Sequence, residues 1–400
     1  MTDPEVSVLA DFKHSKGLLE SQVQVELSER FNRQTDSALE RHIEDVWTER
    51  VSKEPWLFNE AKFRLHSFCL VSSHCSPSSC ASEHHPCTHS SKVASSDCVQ
   101  DQNGSKRLED LTFDSDPLHD DTQNTEHRTE TLRAEPRNAS KNHIENASVI
   151  QQTESKPAQA LSACRAADTH DEHTGPLLTL RLGLTCYKDY LGTNWSCRVA
   201  ELRQRGEEEF ADPLAFLAQP LGVGAILCTD NGQVVLIRRS QSVAEAGGLL
   251  DIPGGHPEPK AVCEDISMVM MQQRREAVVS ELFKSVCAEI RDEVNVPLSC
   301  LGEPVLMGVA LNHTSAGRPS AEFYVSCSLT SDEVRKLYWE GGAEAHESTD
   351  IVFLSRREVL QLDRSRSLWT ELCPSAKGAV MLYQTVKPDA ERERSWQPGN

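Results

Sequence analysis

Two short segments of this 400-residue chain constrain its fold more than any other part of it. Residues 250–258, LDIPGGHPE, predict a β-strand that ends in a glycine loop. Residues 288–296, AEIRDEVNV, predict the end of a helix. On that helix Glu289 and Glu293 are four residues apart, which places them one turn apart on the same face. The two segments therefore predict a strand, a glycine loop and a helix that carries paired carboxylates.

The paired carboxylates indicate a bound cation. Like charges one turn apart destabilise a helix slightly, so the two glutamates are expected to share a partner. A hard divalent cation bound through oxygen atoms, such as Mg²⁺, fits this need, and Asp292 adjoins the same face. Val286, Ile290 and Val294 repeat at four-residue spacing and give the helix a buried side. The alternative is a solvated acidic stripe, but the strand and glycine loop upstream favour a metal site.

The net charge of −20 narrows the classes of partner. Binding to nucleic-acid phosphates needs clusters of Lys and Arg, and so acidic a chain is also disfavoured at anionic membrane surfaces. No apolar run approaches the ~18–20 residues that span a bilayer, and the acidic residues 1–5 are not a secretory signal. The fourteen cysteines have no repeated spacing and are expected to be reduced thiols. These features predict a cytoplasmic protein, with the nucleus as an alternative, that binds neither nucleic acid nor membranes.

Residues 72–175 differ in composition from the rest of the chain. They contain one aromatic residue, Phe113, and 17 acidic against 9 basic residues. Such a segment cannot bury enough apolar surface to offset the entropy lost on ordering. We therefore predict a disordered acidic insertion between two strands, which the fold tolerates because loop-closure cost grows only with the logarithm of length. The His and Cys residues at 74–89 raise a zinc site as an alternative, but no pair has Cys-x2-Cys spacing.

Hydrophobic periodicity divides the remaining chain into helices and strands. The predicted helices are residues 37–53, 196–219 with a break near Pro213, 266–294, 331–338 and 375–386. The predicted strands are residues 62–71, 177–184, 222–229, 233–239, 304–311, 321–329 and 350–354. Strands 62–71 and 177–184 are expected to pair, and Asn231-Gly232 between two apolar runs predicts a β-hairpin. Strands and helices alternate without strict βαβ order, which favours an α/β fold with a mixed sheet between helices.

With these elements in place, the sequence resembles the Nudix hydrolases. That family carries the box G-x5-E-x7-R-E-U-x-E-E-x-G-U, in which U is a bulky apolar residue. Residues 288–296 match its second half, with Glu289 and Glu293 at the metal-binding glutamates and Asp292 at the acid between them. Asn295 stands where the family has glycine, and Asn is the next-best residue for a left-handed helix cap. The lead-in strand and the Pro-Gly-Gly loop also fit the family.

The box departs from the family pattern in two places. Gly255 lies 33 residues before Ala288, 19 more than the regular box allows, and Ala288 occupies the arginine position. A closer resemblance is to a divergent animal branch of the family that cleaves UDP-glucose, and it covers the chain outside residues 72–175. Its motifs are PWLF at 55–58, LGTNWS at 191–196, PGGHPEP at 253–259 and LCPSAKG at 372–378.

The resemblance implies an α/β/α sandwich with a mixed sheet and an N-terminal α/β extension. We expect a substrate-recognition part at 1–71, the insertion at 72–175, a continuation of the recognition part at 176–217, the Nudix domain at 218–390 and a flexible tail at 391–400. The implied activity is hydrolysis of the pyrophosphate of UDP-glucose or UDP-galactose to UMP and sugar 1-phosphate, with Mg²⁺, or alternatively Mn²⁺, as cofactor. The alternatives are a Nudix hydrolase of another nucleotide, such as ADP-ribose, and an inactive UDP-sugar-binding scaffold. The surviving glutamate pair speaks against a scaffold.

The resemblance also implies catalytic residues. Glu289 and Glu293 are expected to hold the metal, and Glu347 is the candidate general base, with Glu344 and His346 as alternatives. Gly254 and Gly255 form the expected phosphate loop, because a side chain there would keep the backbone away from the phosphates.

A further set of residues is expected to bind the substrate. They are Phe58, Tyr187, Arg239, Ala244, Asp251 and Ser375. Phe58 and Tyr187 would stack on the base, although Phe58 lies in an apolar cluster, where packing in the core is an equal alternative. Tyr187 is expected in a polar loop. Arg239 would bind a phosphate through its planar fork, the alternative being a surface ion pair. Lys377 is expected to be an exposed lysine rather than a phosphate contact.

Overall fold

The computed structural model describes residues 3–70, 177–243 and 245–390. The predicted insertion at 72–175, the predicted tail at 391–400 and Ala244 lie outside the described residues. Within the described ranges, no helix is both long and apolar enough to cross a lipid bilayer.

The described chain is built on one large mixed sheet and one small sheet, as the sequence predicts. The strands are β1 Val6–Asp11, β2 Val23–Leu27, β3 Ala61–Leu70, β4 Leu178–Cys186, β5 Gly222–Cys228, β6 Gln233–Arg239, β7 Leu250–Asp251, β8 Gly254–Gly255, β9 Val305–Asn312, β10 Arg318–Ser326 and β11 Ser348–Ser355. The large sheet has the order β1-β9-β10-β5-β6-β11, with β7 beside β6 and β8 beside β5. Within the large sheet, β10 and β5 are parallel and the other pairs are antiparallel.

Helices cover both faces of the large sheet, which confirms the predicted α/β/α layers. The helices are α1 Ser37–Lys53, α2 Tyr187–Gly192, α3 Val199–Phe210, α4 Pro259–Val262, α5 Met268–Gln273, α6 Arg275–Val294, α7 Ser331–Glu340, α8 Arg356–Leu360, α9 Ser367–Glu371 and α10 Pro374–Val386. Alternate residues of β5 and β6 face opposite sides, because successive side chains of a strand point to opposite faces. Val223 and Val235 pack with α6, whereas Ile226 and Leu236 pack with α10.

Helix α6 ends as its sequence predicts. Val286, Ile290 and Val294 are fully buried, so the four-residue spacing marks the buried side of the helix. Asn295 follows with φ of 63°, in the left-handed region, and its side-chain amide donates to the carbonyl oxygen of Leu337 at 2.9 Å. Asparagine can therefore replace the glycine of the family pattern here.

The small sheet, of order β2-β4-β3, confirms the predicted pairing of strands 62–71 and 177–184. Its register places Ala61 opposite Cys186 at one end and Leu70 opposite Leu178 at the other. A buried arginine, Arg64, fixes the position of this sheet. Its guanidinium donates to the carbonyl oxygens of Phe31, Leu214 and Leu217 at 2.8–3.0 Å.

Four predictions of local structure were wrong or incomplete. The helix predicted at 196–219 is confined to Val199–Phe210, and the segment predicted at 266–294 divides into α5 and α6 at Arg274. Tyr187 lies in helix α2 rather than in a polar loop, and the edge strands β1 and β2 were not predicted. The segment between Gly255 and Ala288, which is 19 residues longer than in the regular box, contains α4, α5 and the first part of α6.

Deletion of residues 76–172 should leave the folded chain nearly as stable as the full-length chain. The deletion would join the two paired strands β3 and β4 by a linker of ten residues, 71–75 and 173–177. Because Leu70 and Leu178 are already opposite each other, a short linker closes without distorting the pair. We expect a change in Tm of less than about 3 °C by differential scanning calorimetry. A large loss of Tm would show that the deleted segment packs against the fold.

Candidate active site

Helix α6 is in direct contact with the glycine strand β8. The backbone N–H of Gly254 donates to Oε2 of Glu293 at 2.9 Å. A Cβ atom placed on Gly255 would lie 2.1 Å from Oε1 of Glu289 and would displace this carboxylate, whereas one placed on Gly254 would lie 2.5 Å from the carbonyl oxygen of Val223. The strand and the helix that the sequence singled out therefore meet through Gly254, Gly255 and the two glutamates.

Both glutamates are held where ionisation is unfavourable. Glu293 is only 3% exposed, and burial raises its pKa well above the usual range, with a further contribution from the charge of Glu289. Burial also raises the pKa of Glu289 to about 7, and the charges of Glu344 and Glu347 add to the rise. A cation beside them would relieve this strain, since opposite charge favours the ionised form.

The donor atoms fit a hard divalent cation. The side chains that converge here supply carboxylate oxygens, the ligand type that Mg²⁺ and Mn²⁺ prefer. Among residues 3–70, 177–243 and 245–390, no group of three or more His, Cys, Asp and Glu side chains is placed to hold a metal ion. The candidate ligands are therefore the two glutamates alone, and Mg²⁺ commonly binds through one or two carboxylates, waters and the phosphates of a substrate. Asp292 instead pairs with Arg291 at 2.6 Å.

A second polar group surrounds Asp251 at the end of β7. Its Oδ2 accepts from Nη1 of Arg239 at 3.1 Å, and its Oδ1 accepts from the hydroxyl of Ser375 at 2.8 Å. Nε of Arg239 donates to the carbonyl oxygen of Glu245 at 3.1 Å. Three of the predicted substrate-binding residues therefore form one hydrogen-bonded cluster.

The predicted site residues border one cavity of about 940 Å³. The predicted residues that line it are Phe58, Tyr187, Arg239, Asp251, Gly254, Gly255, Glu289, Glu344, His346, Glu347 and Ser375. Glu293 lies directly behind this wall through its bond to Gly254. Ala244 lies outside the described residues.

Aromatic side chains form one end of the cavity. Tyr187 stacks on Tyr190 with ring centroids 6.4 Å apart, and Tyr190 stacks on Trp195 at 5.8 Å. The backbone N–H of Tyr187 donates to the carbonyl oxygen of Glu60 at 2.9 Å, which ties the start of α2 to the segment that carries Phe58. Phe58 is 69% exposed, so the core-packing interpretation of this residue was wrong.

Lys377 also differs from its prediction. It is 6% exposed rather than a surface lysine, because its ammonium group pairs with Glu5. Glu5 precedes β1, and Lys377 lies on α10, so the ion pair fastens the N-terminal segment to the helix.

Four further residues of the cavity wall were not predicted. Arg318, on β10, donates to Glu245 and to His256, and Tyr190 also donates to Glu245. His256 directly follows the Pro-Gly-Gly loop, so its position in the sequence could have indicated that it lies at the site. No local pattern marks Arg318, because its partners come from distant segments.

Without metal, ionisation of Glu289 should lower the stability of the chain. An exposed glutamate has a pKa of about 4.3, and burial raises that of Glu289 to about 7. The folded state therefore binds more protons between these values, and stability falls as pH rises through this interval. Glu289→Gln cannot ionise at this position. We therefore expect its Tm, measured relative to that of wild type in EDTA, to rise by about 2–5 °C as the pH increases from about 5 to about 8.

Glu276→Gln is the matched control, because Glu276 is exposed on the same helix. Its Tm difference from wild type should not depend on pH. If the Tm difference of Glu289→Gln were equally constant, the raised pKa would be wrong.

The chain is similar to curated proteins over almost its whole length. It is 39% identical over 385 residues to the uridine diphosphate glucose pyrophosphatase NUDT22 of Bos taurus, covering 96% of this chain and 98% of that protein. It is 57% identical over 213 residues to the protein of the same name from Homo sapiens, covering 53% of this chain and 70% of that protein. It is 29% identical over 228 residues to Nudix hydrolase 9 of Arabidopsis thaliana, covering 56% and 70%.

No protein-family model matches the chain. Among solved structures, the MutT protein from Methanosarcina mazei Go1 aligns at 16% identity over 43% of this chain and 94% of that one, with a TM-score of 0.26. The similarity to the Bos taurus enzyme spans both proteins, and on that basis the chain belongs to the Nudix hydrolases, in the family of the uridine diphosphate glucose pyrophosphatases NUDT22.

Proposed function

We propose that this protein hydrolyses the pyrophosphate of UDP-glucose or UDP-galactose to UMP and sugar 1-phosphate, with Mg²⁺, or alternatively Mn²⁺, as cofactor. The observation that carries the proposal is the contact of Glu289 and Glu293 with the glycine strand at the wall of one large cavity. The relatives named uridine diphosphate glucose pyrophosphatase support the choice of substrate.

The proposed role of the glutamates follows from their surroundings. Glu289 and Glu293 would hold the cation, which when bound neutralises the diphosphate and makes attack by water possible. Gly254 and Gly255 line the cavity, and the place that a side chain of Gly255 would take is filled by the carboxylate of Glu289. A phosphate that shares a cation with Glu289 would therefore lie beside this strand.

Glu347 is the proposed general base that takes the proton of the attacking water. The charge of Glu344, and to a lesser extent that of Glu347, raises the pKa of Glu289, and the charge of Glu347 also raises the pKa of Glu293. Glu347 therefore acts on both glutamates of the pair. The backbone of Glu347 is fixed, since its carbonyl oxygen accepts from the N–H of Ser240 at 2.8 Å. A fixed loop gives the base a defined position.

The other predicted residues are proposed to bind the nucleotide sugar. Tyr187 and the exposed ring of Phe58 would hold the uracil by stacking. Arg239, Asp251 and Ser375 would line the rest of the substrate, together with Ala244. Asp251 has its carboxylate oxygens fixed by Arg239 and Ser375, so this part of the wall is rigid before substrate binds.

The proposed location of the protein is the cytoplasm, with the nucleus as a further location. The nine cysteines that the structure describes are all free thiols, which suits the reducing conditions of these compartments.

Glu293→Gln should abolish turnover while the protein stays folded. The substitution preserves size but removes the charge that would hold the cation. We expect kcat for UDP-glucose to fall by at least about 100-fold, measured by chromatography of UMP and sugar 1-phosphate with Mg²⁺ and with EDTA. The wild-type protein should be tested on UDP-glucose, UDP-galactose and ADP-ribose in parallel.

Glu276→Gln, on the exposed side of the same helix, should retain full activity. Full activity in folded Glu293→Gln would disprove the metal assignment. Faster hydrolysis of ADP-ribose than of both UDP-sugars would disprove the substrate.

Tyr187→Ala should weaken substrate binding more than it slows the chemical step. Loss of stacking on one base costs ~1–3 kcal/mol, so KM for UDP-glucose should rise about 5- to 150-fold. Phe58→Ala should behave similarly and remain folded, because the ring is exposed. Steady-state kinetics test both variants. An unchanged KM with a lowered kcat would place Tyr187 near the scissile phosphates instead.

A further inference from the structure

Arg318 is a cation held in the cavity wall by three different contacts. Its Nη2 donates to Oε2 of Glu245 at 3.1 Å, and its Nη1 donates to Nε2 of His256 at 3.1 Å. The guanidinium carbon lies 5.8 Å from the centre of the Tyr190 ring. An arginine fixed by an ion pair, a hydrogen bond and an aromatic ring has lost most of its rotamer freedom before any ligand binds.

Glu245, the partner of Arg318, is itself fixed. The hydroxyl of Tyr190 donates to its Oε1, and the hydroxyl of Ser315 lies 3.5 Å from its Oε2. Tyr190 is 5% exposed and cannot move without disturbing the aromatic stack. The position of Arg318 is therefore built from several elements of the fold rather than from one flexible contact.

The hydrogen bond to His256 leaves the charge of Arg318 in place. An arginine can only donate, so Nε2 of His256 is the acceptor of this bond and the full positive charge remains on the guanidinium.

Arg318 retains donors for a ligand. The bonds to Glu245 and His256 use two of its five N–H groups. Nε is buried and has no hydrogen-bond partner in the described part of the chain. The Arg318 side chain is 17% exposed and lines the cavity, so the remaining N–H groups of Nη1 and Nη2 are the donors that a ligand would meet.

The position of Arg318 indicates which group of a ligand would bind its guanidinium. On one side the guanidinium meets the aromatic end of the cavity at Tyr190, and on the other it meets His256, which directly follows Gly254 and Gly255. A nucleotide with its base at the aromatic end and its diphosphate at the glycine strand would place its first phosphate between them. A planar guanidinium fork matches phosphate oxygens in shape and charge.

We propose that Arg318 is a substrate-binding residue that clamps the phosphate attached to the nucleoside, and that Glu245 and Tyr190 are positioning residues for it. The inference rests on the proposed function for the direction in which the nucleotide lies. The ligand group that Arg318 would bind is a nucleoside monophosphate unit, with or without a further group attached to its phosphate.

The test compares the affinities of UMP and uridine, which differ only in the phosphate. Both are titrated into the full-length protein by isothermal titration calorimetry in EDTA, so that no metal contributes. We expect the wild-type protein to bind UMP more tightly than uridine. Arg318→Gln should reduce this preference by about 10- to 100-fold, because it removes a charge-assisted hydrogen bond, and should leave the affinity for uridine nearly unchanged.

Arg205→Gln is the matched control. Arg205 also pairs with carboxylates, at Asp36 and Glu209, and lies 4.5 Å from the ring centre of Phe216, but it is not part of the cavity wall. The Arg205→Gln protein should prefer UMP over uridine by the same factor as the wild-type protein.

Arg318→Lys is the second variant, and it tests the inference if Arg318→Gln does not fold. It preserves the charge but not the planar fork, so the preference for UMP should fall several-fold. A wild-type protein that binds uridine as tightly as UMP would overturn the inference, as would a folded Arg318 variant with an unchanged preference or an equal loss for both ligands. Failure of the proposed function would appear separately, as absence of UDP-sugar hydrolysis by the wild-type protein.

Discussion

The contact between helix α6 and the two glycines of β8 is the constraint on which the rest of the structure depends. It places two carboxylates, one of them 3% exposed, against backbone where no side chain fits. The cost of this arrangement appears in the raised pKa values of Glu289 and Glu293. The large sheet holds β8 beside β5, and the apolar side of α6 anchors the helix, so the fold keeps like charges together.

The positive side chains of the cavity wall are held next to negative ones. Lys62, Arg239 and Arg318 are the Lys and Arg side chains that line the cavity in the described chain, and each is paired with a carboxylate, from Glu60, Asp251 and Glu245 respectively. Unpaired cations would attract any anion, whereas paired cations favour a ligand that has the right shape to share them. Recognition of a diphosphate in such a cavity therefore depends on geometry more than on net charge.

The sequence predicted the elements whose signals are local. Apolar periodicity predicted α1 and the buried side of α6, and Asn231-Gly232 predicted the hairpin of β5 and β6. Strand β1 was missed because it is an edge strand in which only Val6 is buried, so its pattern is weak. The arginine cluster was missed for another reason, since Arg318, Glu245 and Tyr190 meet only after the fold has formed. Similarity to a family predicted the residues around Asp251, which periodicity alone does not mark.

The register of β3 and β4 has a consequence for the evolution of this chain. Leu70 and Leu178 face each other at one end of the pair, and Phe58 and Tyr187 are attached at the opposite end, about 30 Å away at the rise of a β-strand. The described ends of the two strands therefore lie side by side, at the opposite end of the pair from the residues that line the cavity. A connection of any sufficient length can join them without changing the strand register, so the paired strands do not restrict how long that connection is. Variation in its length between related chains would be compatible with the same fold.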